Sequence, residues 1–317
     1  MKTVLVTGAA GFIGYHASQC FLNAGYRVLG VDNFDDYYSP EIKQENVVWQ
    51  SRFANFTFVR GDVLEASICA ELFAHKPEIV VHLAGRGGVR PSVQDPATYF
   101  RLNTETTARL LSFCNDSSFE HFILASSSSV YGNQEKTPFS ERDILGPMAS
   151  PYAVSKRSAE LLGETWCELT GKSFAAIRFF TAYGPRQRPE MAISLFAHKL
   201  MVNEPIPFFG DGRTRRDYTF VEDVARGVLA VAERPNGFQI VNLGSGNPVT
   251  LSQLVEALEK CLQARAQFDF QTPPLGDVTQ TYADITKAHA HYGWSPQVPL
   301  LVGLERTIAH WRSGHVV

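Results

Sequence analysis

Tyr152 and Lys156 place a phenol and an ammonium group four residues apart, at the start of a segment with helical periodicity. Residues four apart lie on one face of a helix, so these side chains are neighbours. A phenol titrates near pH ~10, but a cation one turn away favours the phenolate and lowers its pKa towards the working range. The pair predicts a tyrosine that acts as a general base, although an exposed pair without function has the same spacing.

A nucleotide-binding signature stands at the start of the chain. Residues 4–7 form a short apolar, β-prone run, and Gly8, Gly11 and Gly14 follow at once, before a segment with helical periodicity. Glycines in this turn let the backbone approach a pyrophosphate, which rests on the N-terminus of the helix. The sequence therefore predicts the first half of a βαβ nucleotide-binding unit, whereas a glycine-rich turn without a ligand is the alternative.

Asp32 ends the second predicted strand, residues 26–31. A carboxylate at this position accepts hydrogen bonds from an adenosine ribose and repels a 2′-phosphate. The next residues, Asn33 and Phe34, supply no cation to offset that repulsion. Asp32 therefore favours NAD over NADP as the cofactor.

Apolar runs alternate with segments long enough for crossover helices along the first three quarters of the chain. This alternation predicts an α/β fold with a doubly wound parallel sheet of the Rossmann type, whose ligands bind beyond the carboxyl ends of the strands. The predicted strands after the first two lie at residues 56–59, 79–83, 122–125, 175–177 and 239–243.

Prolines become frequent after residue 180, which predicts excursions from the sheet that form a smaller, discontinuous C-terminal substrate domain. The predicted NAD-binding Rossmann domain comprises residues 1–180 plus about 217–243. The predicted nucleotide-sugar-binding domain comprises about 181–216 and 244–317.

Composition excludes several classes of function. The 317 residues carry a net charge of −3, which gives no reason to expect nucleic acid or a membrane as partner. No apolar run reaches transmembrane length and a strand begins within four residues, so we expect a cytoplasmic protein without a signal peptide. The five cysteines are widely spaced, which predicts reduced thiols and no metal site.

Four consecutive serines, Ser126 to Ser129, follow the strand predicted at residues 122–125 and precede Val-Tyr-Gly. With the glycine turn and the Tyr-x-x-x-Lys pair, this run resembles the extended branch of the short-chain dehydrogenase/reductase superfamily, the nucleotide-sugar epimerases and dehydratases. The resemblance covers nearly the whole chain. Four further motifs carry it: His82-Leu83-Ala84, Gly88-Val89-Arg90, Arg178 to Pro185, and Arg216-Asp217-Tyr218.

The resemblance implies roles for particular residues. Catalysis is assigned to Ser127, Tyr152 and Lys156. Cofactor binding is assigned to Gly8, Gly11, Phe12, Ile13, Gly14, Asp32, Asn33, Asp62, Val63, Leu83, Ala84, Tyr152 and Lys156. Substrate binding is assigned to Arg90, Ser128, Ser129, Thr181, Arg188, Phe208, Arg216 and Asp277.

Two features indicate the reaction within this branch. Relatives that eliminate water or carbon dioxide have an acid directly before Val-Tyr-Gly, where this chain has Ser129, and a hydroxyl does not readily supply that acid–base step. Epimerisation therefore remains. The run from Arg178 to Ala192 looks like that of the UDP-glucuronate 4-epimerases, and the resemblance assigns Arg188 to the sugar carboxylate, which a planar guanidinium can bind bidentately.

The implied reaction converts UDP-glucuronate into UDP-galacturonate through a transient 4-keto intermediate. Tyr152, helped by Ser127, removes the proton of the 4-hydroxyl while hydride passes to NAD, and Lys156 holds the nicotinamide ribose. Two alternatives stay open. A neutral UDP-hexose such as UDP-glucose or UDP-N-acetylglucosamine would leave Arg188 without a carboxylate, and a non-catalytic NAD-binding regulator would use the same fold.

The resemblance also implies a homodimer held by a four-helix bundle. Two apolar stripes are expected to form it, although periodicity alone does not distinguish an interface from a face that packs on the sheet. The stripes consist of Phe100, Asn103, Thr107, Leu110 and Cys114 on one helix and of Ala159, Leu162, Trp166 and Leu169 on another.

Overall fold

A computed structural model describes residues 1–114, 119–272 and 276–313. In these ranges the strands are β1 (Thr3–Thr7), β2 (Arg27–Asp32), β3 (Phe56–Arg60), β4 (Ile79–His82), β5 (His121–Ser127), β6 (Ser173–Phe179), β7 (Thr181–Tyr183), β8 (Ile206–Phe209), β9 (Arg215–Arg216), β10 (Tyr218–Phe220), β11 (Phe238–Leu243), β12 (Val249–Thr250) and β13 (Phe268–Gln271).

Helices separate most of these strands. They are α1 (Phe12–Asn23), α2 (Pro40–Gln50), α3 (Ala66–Ala74), α4 (Val89–Gln94), α5 (Pro96–Phe100), α6 (Thr106–Phe113), α7 (Pro151–Thr170), α8 (Ala192–Met201), α9 (Val221–Ala232), α10 (Leu251–Leu262), α11 (Thr286–Tyr292) and α12 (Leu300–Arg312). A π-helical turn, Arg101–Glu105, joins α5 to α6, and a 3-10 turn, Ser128–Tyr131, follows β5.

Seven strands form one parallel sheet in the order β11-β6-β5-β4-β1-β2-β3. The chain reverses its direction of travel across the sheet at β1, which pairs with both β2 and β4. A crevice forms beyond the carboxyl ends of the strands at such a switch point. The predicted doubly wound parallel sheet is thus confirmed.

Both faces of the sheet are buried, which explains why its strands read as continuous apolar runs. On β1, Val4 and Val6 pack in a core with residues of α1 and α9, whereas Leu5 packs in a second core with residues of α3, α6 and α7. Successive side chains of a strand point to opposite faces, so the sheet lies between two helical layers.

Sequence signals define both ends of α7, the helix that carries Tyr152 and Lys156. The Ser150 hydroxyl accepts a hydrogen bond from the Ala153 amide at 3.2 Å, and Pro151 occupies the first turn. Both features favour a helix start. At the other end, Gly171 adopts a left-handed conformation with a φ of 68° and caps the C-terminus of the helix.

A third core lies among elements of the last 140 residues. It contains apolar side chains of α8, α10 and α12 and of β8, which pairs in parallel with the exposed strand β13. Between these elements, β11 returns to the large sheet, where Gln239 is opposite Ala175 of β6. The proposed division into two domains at the boundaries given above stays a prediction.

The expectation for the dimer stripe on the first helix is largely wrong. Asn103, Thr107, Leu110 and Cys114 are buried inside the single chain, where Leu110 and Cys114 pack in the core beneath the sheet. Helical periodicity did not distinguish an interface from such a core face. On the second stripe, Ala159 and Trp166 also pack in this core, whereas Leu162 and Leu169 are exposed on α7. Phe100, at the end of α5, is exposed too.

Every helix in the described ranges is too short or too polar to span a lipid bilayer.

Candidate active site

The glycine turn after β1 brings the backbone of the turn against the first helix. Gly8 has a φ of 68°, and the Gly11 amide donates a hydrogen bond to the Gly8 carbonyl at 2.9 Å. A Cβ atom on Gly14 would lie only 1.9 Å from the Gly8 carbonyl oxygen, so the first turn of α1 packs directly on the loop. The N-terminus of α1 thereby faces the crevice, where its free amides favour an anion.

A cavity of about 440 Å³ lies in this crevice. The structure brings most of the sequence-predicted residues to its walls. These are Gly8, Gly11, Phe12, Ile13, Gly14, Asp32, Asn33, Asp62, Val63, Leu83, Ala84, Ser127, Ser128, Ser129, Tyr152, Lys156, Thr181 and Arg188.

Asp32 is buried at the carboxyl end of β2. Its carboxylate accepts hydrogen bonds from the amides of Phe34 at 2.8 Å and of Ala10 at 3.2 Å. Burial raises the pKa of Asp32, while the Phe34 amide, the charge of Lys43 and the Ala10 amide oppose that shift. Each amide binds a different oxygen of the carboxylate, and the remaining lone pairs can accept hydrogen bonds from a ribose.

Lys43 brings a cation close to Asp32, which the next residues, Asn33 and Phe34, do not supply. It is buried on α2, and its Nζ donates to the Asp35 carbonyl at 2.5 Å and lies 4.6 Å from the centroid of the Tyr38 ring. Sequence reasoning considered only the two residues after Asp32, whereas Lys43 reaches the site from a helix that begins at Pro40. A lysine in the first turn of the helix after β2 was the signal that was missed.

Lys156 is fixed to the end of β5. Its Nζ donates to the Ala125 carbonyl at 2.9 Å, and burial lowers its pKa to about 8. An ammonium group retains two further donors beyond this bond, so it can also bind a hydroxyl in the cavity.

The titration of Tyr152 differs from the expectation. Burial is the largest influence and raises the pKa of the phenol, and the opposing influences are hydrogen bonding to Ser127 and the positive charge of Arg188. The charge of Lys156 was expected to be the main influence on the pKa of Tyr152, and it is not. Tyr99 packs against this phenol, with its ring edge-to-face on Tyr152 and the two centroids 6.0 Å apart.

The serine run turns sharply after β5. Ser127 is the last residue of β5. Its Oγ donates a hydrogen bond to Ser129 Oγ at 3.1 Å and accepts one from the Ser129 amide at 3.2 Å. The hydroxyls of Ser127, Ser128 and Ser129 therefore follow a tight turn at the cavity wall. Ser129, the residue before Val-Tyr-Gly, therefore has a hydroxyl that is already hydrogen-bonded to Ser127.

Arg188 lines the cavity from the loop before α8. Its NH1 forms an ion pair with Glu190 Oε1 at 3.1 Å, and its guanidinium lies 5.4 Å from the centroid of the Tyr37 ring. The Tyr37 hydroxyl donates to the Gly87 carbonyl at 2.8 Å, so a loop after β2 and a loop after β4 both pack beside Arg188. Sequence reasoning missed Glu190 and Tyr37.

Arg216 and Asp277, which were assigned separately to the substrate, are paired with each other. Arg216 NH2 lies 2.6 Å from Asp277 Oδ1. Arg216 also lines a second cavity of about 130 Å³, and Thr181 and Met191 line both cavities. The smaller cavity therefore lies next to the larger one, with a guanidinium at its wall.

Three predicted substrate residues, Arg90, Phe208 and Asp277, line neither cavity. The Phe208 ring is buried in the third core and packs edge-to-face on Phe268 and Phe270, so it presents no free face to a base. Arg90 is exposed, and its guanidinium lies over the Phe209 ring at 4.6 Å. Neither position follows from residue type, because both depend on how a later segment packs.

Among the described residues, no three His, Cys, Asp or Glu side chains form a group that could hold a metal ion.

Comparison with known proteins gives concordant results. Residues 4–244 match the model of the NAD dependent epimerase/dehydratase family. A UDP-glucuronate 4-epimerase of Thermodesulfobacterium geofontis is 37% identical over 100% of this chain and 98% of its own length.

Two solved structures resemble the fold over nearly its whole length. One is a UDP-glucuronic acid 4-epimerase from Bacillus cereus in complex with UDP-glucuronic acid and NAD, with a TM-score of 0.92, 34% identity, and coverage of 98% of this chain and 99% of that one. The other is a UDP-glucose 4-epimerase with UDP-glucose from Thermotoga maritima, with a TM-score of 0.90, 31% identity and the same coverage.

Proposed function

Because the chain belongs to the NAD dependent epimerase/dehydratase family, we propose that it is an isomerase that converts UDP-glucuronate into UDP-galacturonate by inverting C4. The observation that carries the proposal is the cavity itself. Ser127, Tyr152, Lys156 and Arg188 line it together with the glycine turn, so a base, its partners and a carboxylate receptor are close to a nucleotide-binding loop.

The residues of the crevice fit NAD. The close approach of Gly8 and Gly14 leaves the N-terminus of α1 open to a pyrophosphate, and Asp32 with Lys43 lies where an adenosine ribose would be bound. When bound, NAD accepts a hydride from C4 of the sugar and returns it to the opposite face, so the cofactor is not consumed.

Tyr152 takes the proton of the 4-hydroxyl and gives it back. Burial disfavours the phenolate, so the site needs positive charge and hydrogen bonds to make it accessible. Ser127 and Arg188 supply both, and the positive charge of bound NAD adds to them. Lys156, fixed by the Ala125 carbonyl, is placed to hold a ribose hydroxyl next to the phenol.

Arg188 binds the sugar carboxylate, with Ser128, Ser129 and Thr181 as further donors at the same wall. The 4-keto form of a uronate is a β-keto acid, which loses carbon dioxide when its carboxylate stands perpendicular to the carbonyl plane. Several donors that fix the carboxylate out of that alignment protect the intermediate by orientation. Ser129, where eliminating relatives have an acid, supplies no acid–base group for decarboxylation.

Arg216, which lines the smaller cavity, and its ion-pair partner Asp277 form the proposed nucleotide contacts. Their ion pair exchanges partners on binding, because Arg216 is proposed to bind the diphosphate and Asp277 the uridine ribose. Phe208 has no place in this proposal, since its ring is in the core.

We further propose a homodimer in the cytoplasm. The apolar residues exposed on α7 support the dimer, and they are Val154, Leu161, Leu162 and Leu169. Apolar side chains grouped on one exposed helix are typical of protein interfaces. A mass of two chains in solution at micromolar concentration is the expected result, and a monomeric mass would remove the dimer.

A neutral UDP-hexose remains the second candidate, favoured by the likeness to the UDP-glucose 4-epimerase and by the pairing of Arg188 with Glu190. Purified protein is incubated, without added NAD, with UDP-glucuronate, UDP-glucose and UDP-N-acetylglucosamine, and the products are separated. UDP-galacturonate as the main product supports the proposal. Turnover of a neutral sugar alone would favour the second candidate, and no turnover of any sugar would favour an NAD-binding regulator.

A further inference from the structure

Glu160 is a buried carboxylate on the helix that carries the proposed base. It lies one turn after Lys156 and two turns after Tyr152, and its side chain is fully shielded from solvent. Each of the two carboxylate oxygens accepts two hydrogen bonds. Oε1 binds Ser126 Oγ at 2.5 Å and Arg178 Nε at 2.9 Å, and Oε2 binds NH2 of Arg178 and NH1 of Arg157, both at 2.9 Å.

Arg178 extends these contacts across the sheet. It is 1% exposed on β6, and its guanidinium lies 4.7 Å from the centroid of the Tyr131 ring. The Tyr131 hydroxyl donates to Asn242 Oδ1 on β11 at 2.7 Å. Three elements, α7, β5 and β6, thus meet at one buried carboxylate. Burial raises the pKa of Glu160, but Arg178, Ser126 and Arg157 together hold it below its usual range and keep the group ionised.

Ser126 connects this cluster to the reaction. It directly precedes Ser127 in β5, and the residue before it, Ala125, accepts the bond from Lys156. The end of β5 is therefore fastened to α7 at two successive residues, once through a backbone carbonyl and once through the Ser126 hydroxyl. Ser127 and Tyr152 project from the two elements that these bonds join.

We propose that Ser126 and Glu160 are positioning residues that set the placement of Ser127 against Tyr152. The proposal rests on the function given above, in which Tyr152 is the base. A backbone shift of about 1 Å at a reacting group is enough to reduce a rate by about 10²-fold. Since hydrogen bonding to Ser127 lowers the pKa of Tyr152, a displaced Ser127 raises that pKa as well.

Ser126→Ala tests the proposal without breaking the buried ion pair, because Glu160 and Arg178 remain bonded to each other. We expect kcat with UDP-glucuronate to fall by roughly tenfold with KM nearly unchanged. The acid limb of the pH profile of kcat should move to higher pH, because the phenolate forms less readily. Ser126→Thr keeps the hydroxyl and should restore most of the rate.

Ser158→Ala is the matched control. Ser158 is on the same helix, and its hydroxyl bonds only to the Val154 carbonyl at 2.9 Å, away from the cluster. It should leave kcat and the pH profile unchanged. A normal rate and profile for Ser126→Ala would overturn the proposal, and so would a lower rate with an unshifted profile and a lower melting temperature, which marks a structural role only.

Failure of the proposed function is distinguishable from failure of this inference. A wild-type protein that epimerises none of the three UDP-sugars overturns the function before any variant is compared. The phenolate of Tyr152 is then titrated by ultraviolet difference absorbance of the wild type against Tyr152→Phe, and again in the Ser126→Ala background. A higher pKa in that background supports the positioning role, and an equal pKa overturns it.

Discussion

Arg188 NH1 lies 3.1 Å from Glu190 Oε1, so the guanidinium at the cavity wall is already paired on one side. Glu190 is the more exposed partner, with 46% of its side chain accessible against 21% for Arg188, and it does not line the cavity. A guanidinium has five N–H donors in a planar fork, so a second carboxylate can bind its other edge. The pair orients Arg188 and also places a negative charge near the expected position of the sugar carboxylate.

Removal of Arg188 should separate the two sugars. We expect Arg188→Ala to raise KM for UDP-glucuronate, with a loss of about 2–5 kcal/mol if the site is dry, and to leave KM for UDP-glucose nearly unchanged. Because the charge of Arg188 also lowers the pKa of Tyr152, kcat should fall for both sugars. A loosened carboxylate should also release some UDP-pentose. Steady-state kinetics on both sugars measure the effect, and Arg213→Ala, at a side chain 88% exposed, is the control. An equal rise in KM for both sugars would contradict the carboxylate-binding role of Arg188.

Neutralising Glu190 should act in the opposite direction. Glu190→Gln removes a like charge beside the sugar carboxylate, so KM for UDP-glucuronate should fall by roughly threefold while KM for UDP-glucose stays constant. The difference should shrink as salt is added, because exposed charges are screened. Glu164→Gln on the exposed side of α7 is the control. A higher KM would show that orientation of Arg188 outweighs the repulsion.

Tyr152→Phe removes the proton acceptor and leaves the ring. Turnover of UDP-glucuronate should fall by roughly 10²-fold or more, while the content of bound NAD stays the same, because the glycine turn and Asp32 are untouched. Turnover and cofactor content are measured on one preparation. Tyr282→Phe, outside both cavities, should keep the wild-type rate. A Tyr152→Phe enzyme of near-normal rate would remove the base from the mechanism.

Lys156 links stability to pH. Its pKa is about 8 in the folded protein and 10.5 in an unfolded chain, so between these values the unfolded chain binds more protons and the free energy of unfolding rises with pH. At pH 7 the buried charge opposes folding. Lys156→Met should therefore stabilise the cofactor-free protein at pH 7 by up to about 3 kcal/mol, and this gain should shrink as the pH rises from 8 to 10.

Urea unfolding of both proteins across this pH range measures the difference. A constant difference at all pH values would mean that Lys156 has the same pKa in the folded protein and in the unfolded chain. Lys172→Met, on the loop after α7, provides a comparison for the loss of a more exposed lysine.

Local signals were enough to predict the sheet and the cofactor loop. The turn at Gly8 and the packing of Gly14 depend on residues within one short segment, and an apolar run buried on both faces reads as a strand wherever it stands. The Tyr152 and Lys156 pair was predictable for the same reason, because helical spacing alone places them together.

Contacts between distant segments were not predictable. Ser126 and Glu160 are 34 positions apart, and Arg216 and Asp277 are 61 apart, so no local pattern links either pair. The same limit explains why the packing of Phe208 was not predicted, since its residue type suits a nucleotide base as well as a core. Sequence periodicity also misjudged which helix face is exposed, since the stripe at Leu110 and Cys114 packs beneath the sheet.

The return of the C4 hydrogen to the same sugar is tested most directly with UDP-glucuronate that carries deuterium at C4. The label is followed by NMR and mass spectrometry during turnover without added NAD. We expect UDP-galacturonate that retains the deuterium at C4 with inverted configuration, because a hydride carried on a nicotinamide does not exchange with water. Loss of the label to solvent, or accumulation of NADH with a decarboxylated product, would contradict NAD-dependent C4 epimerisation by this protein.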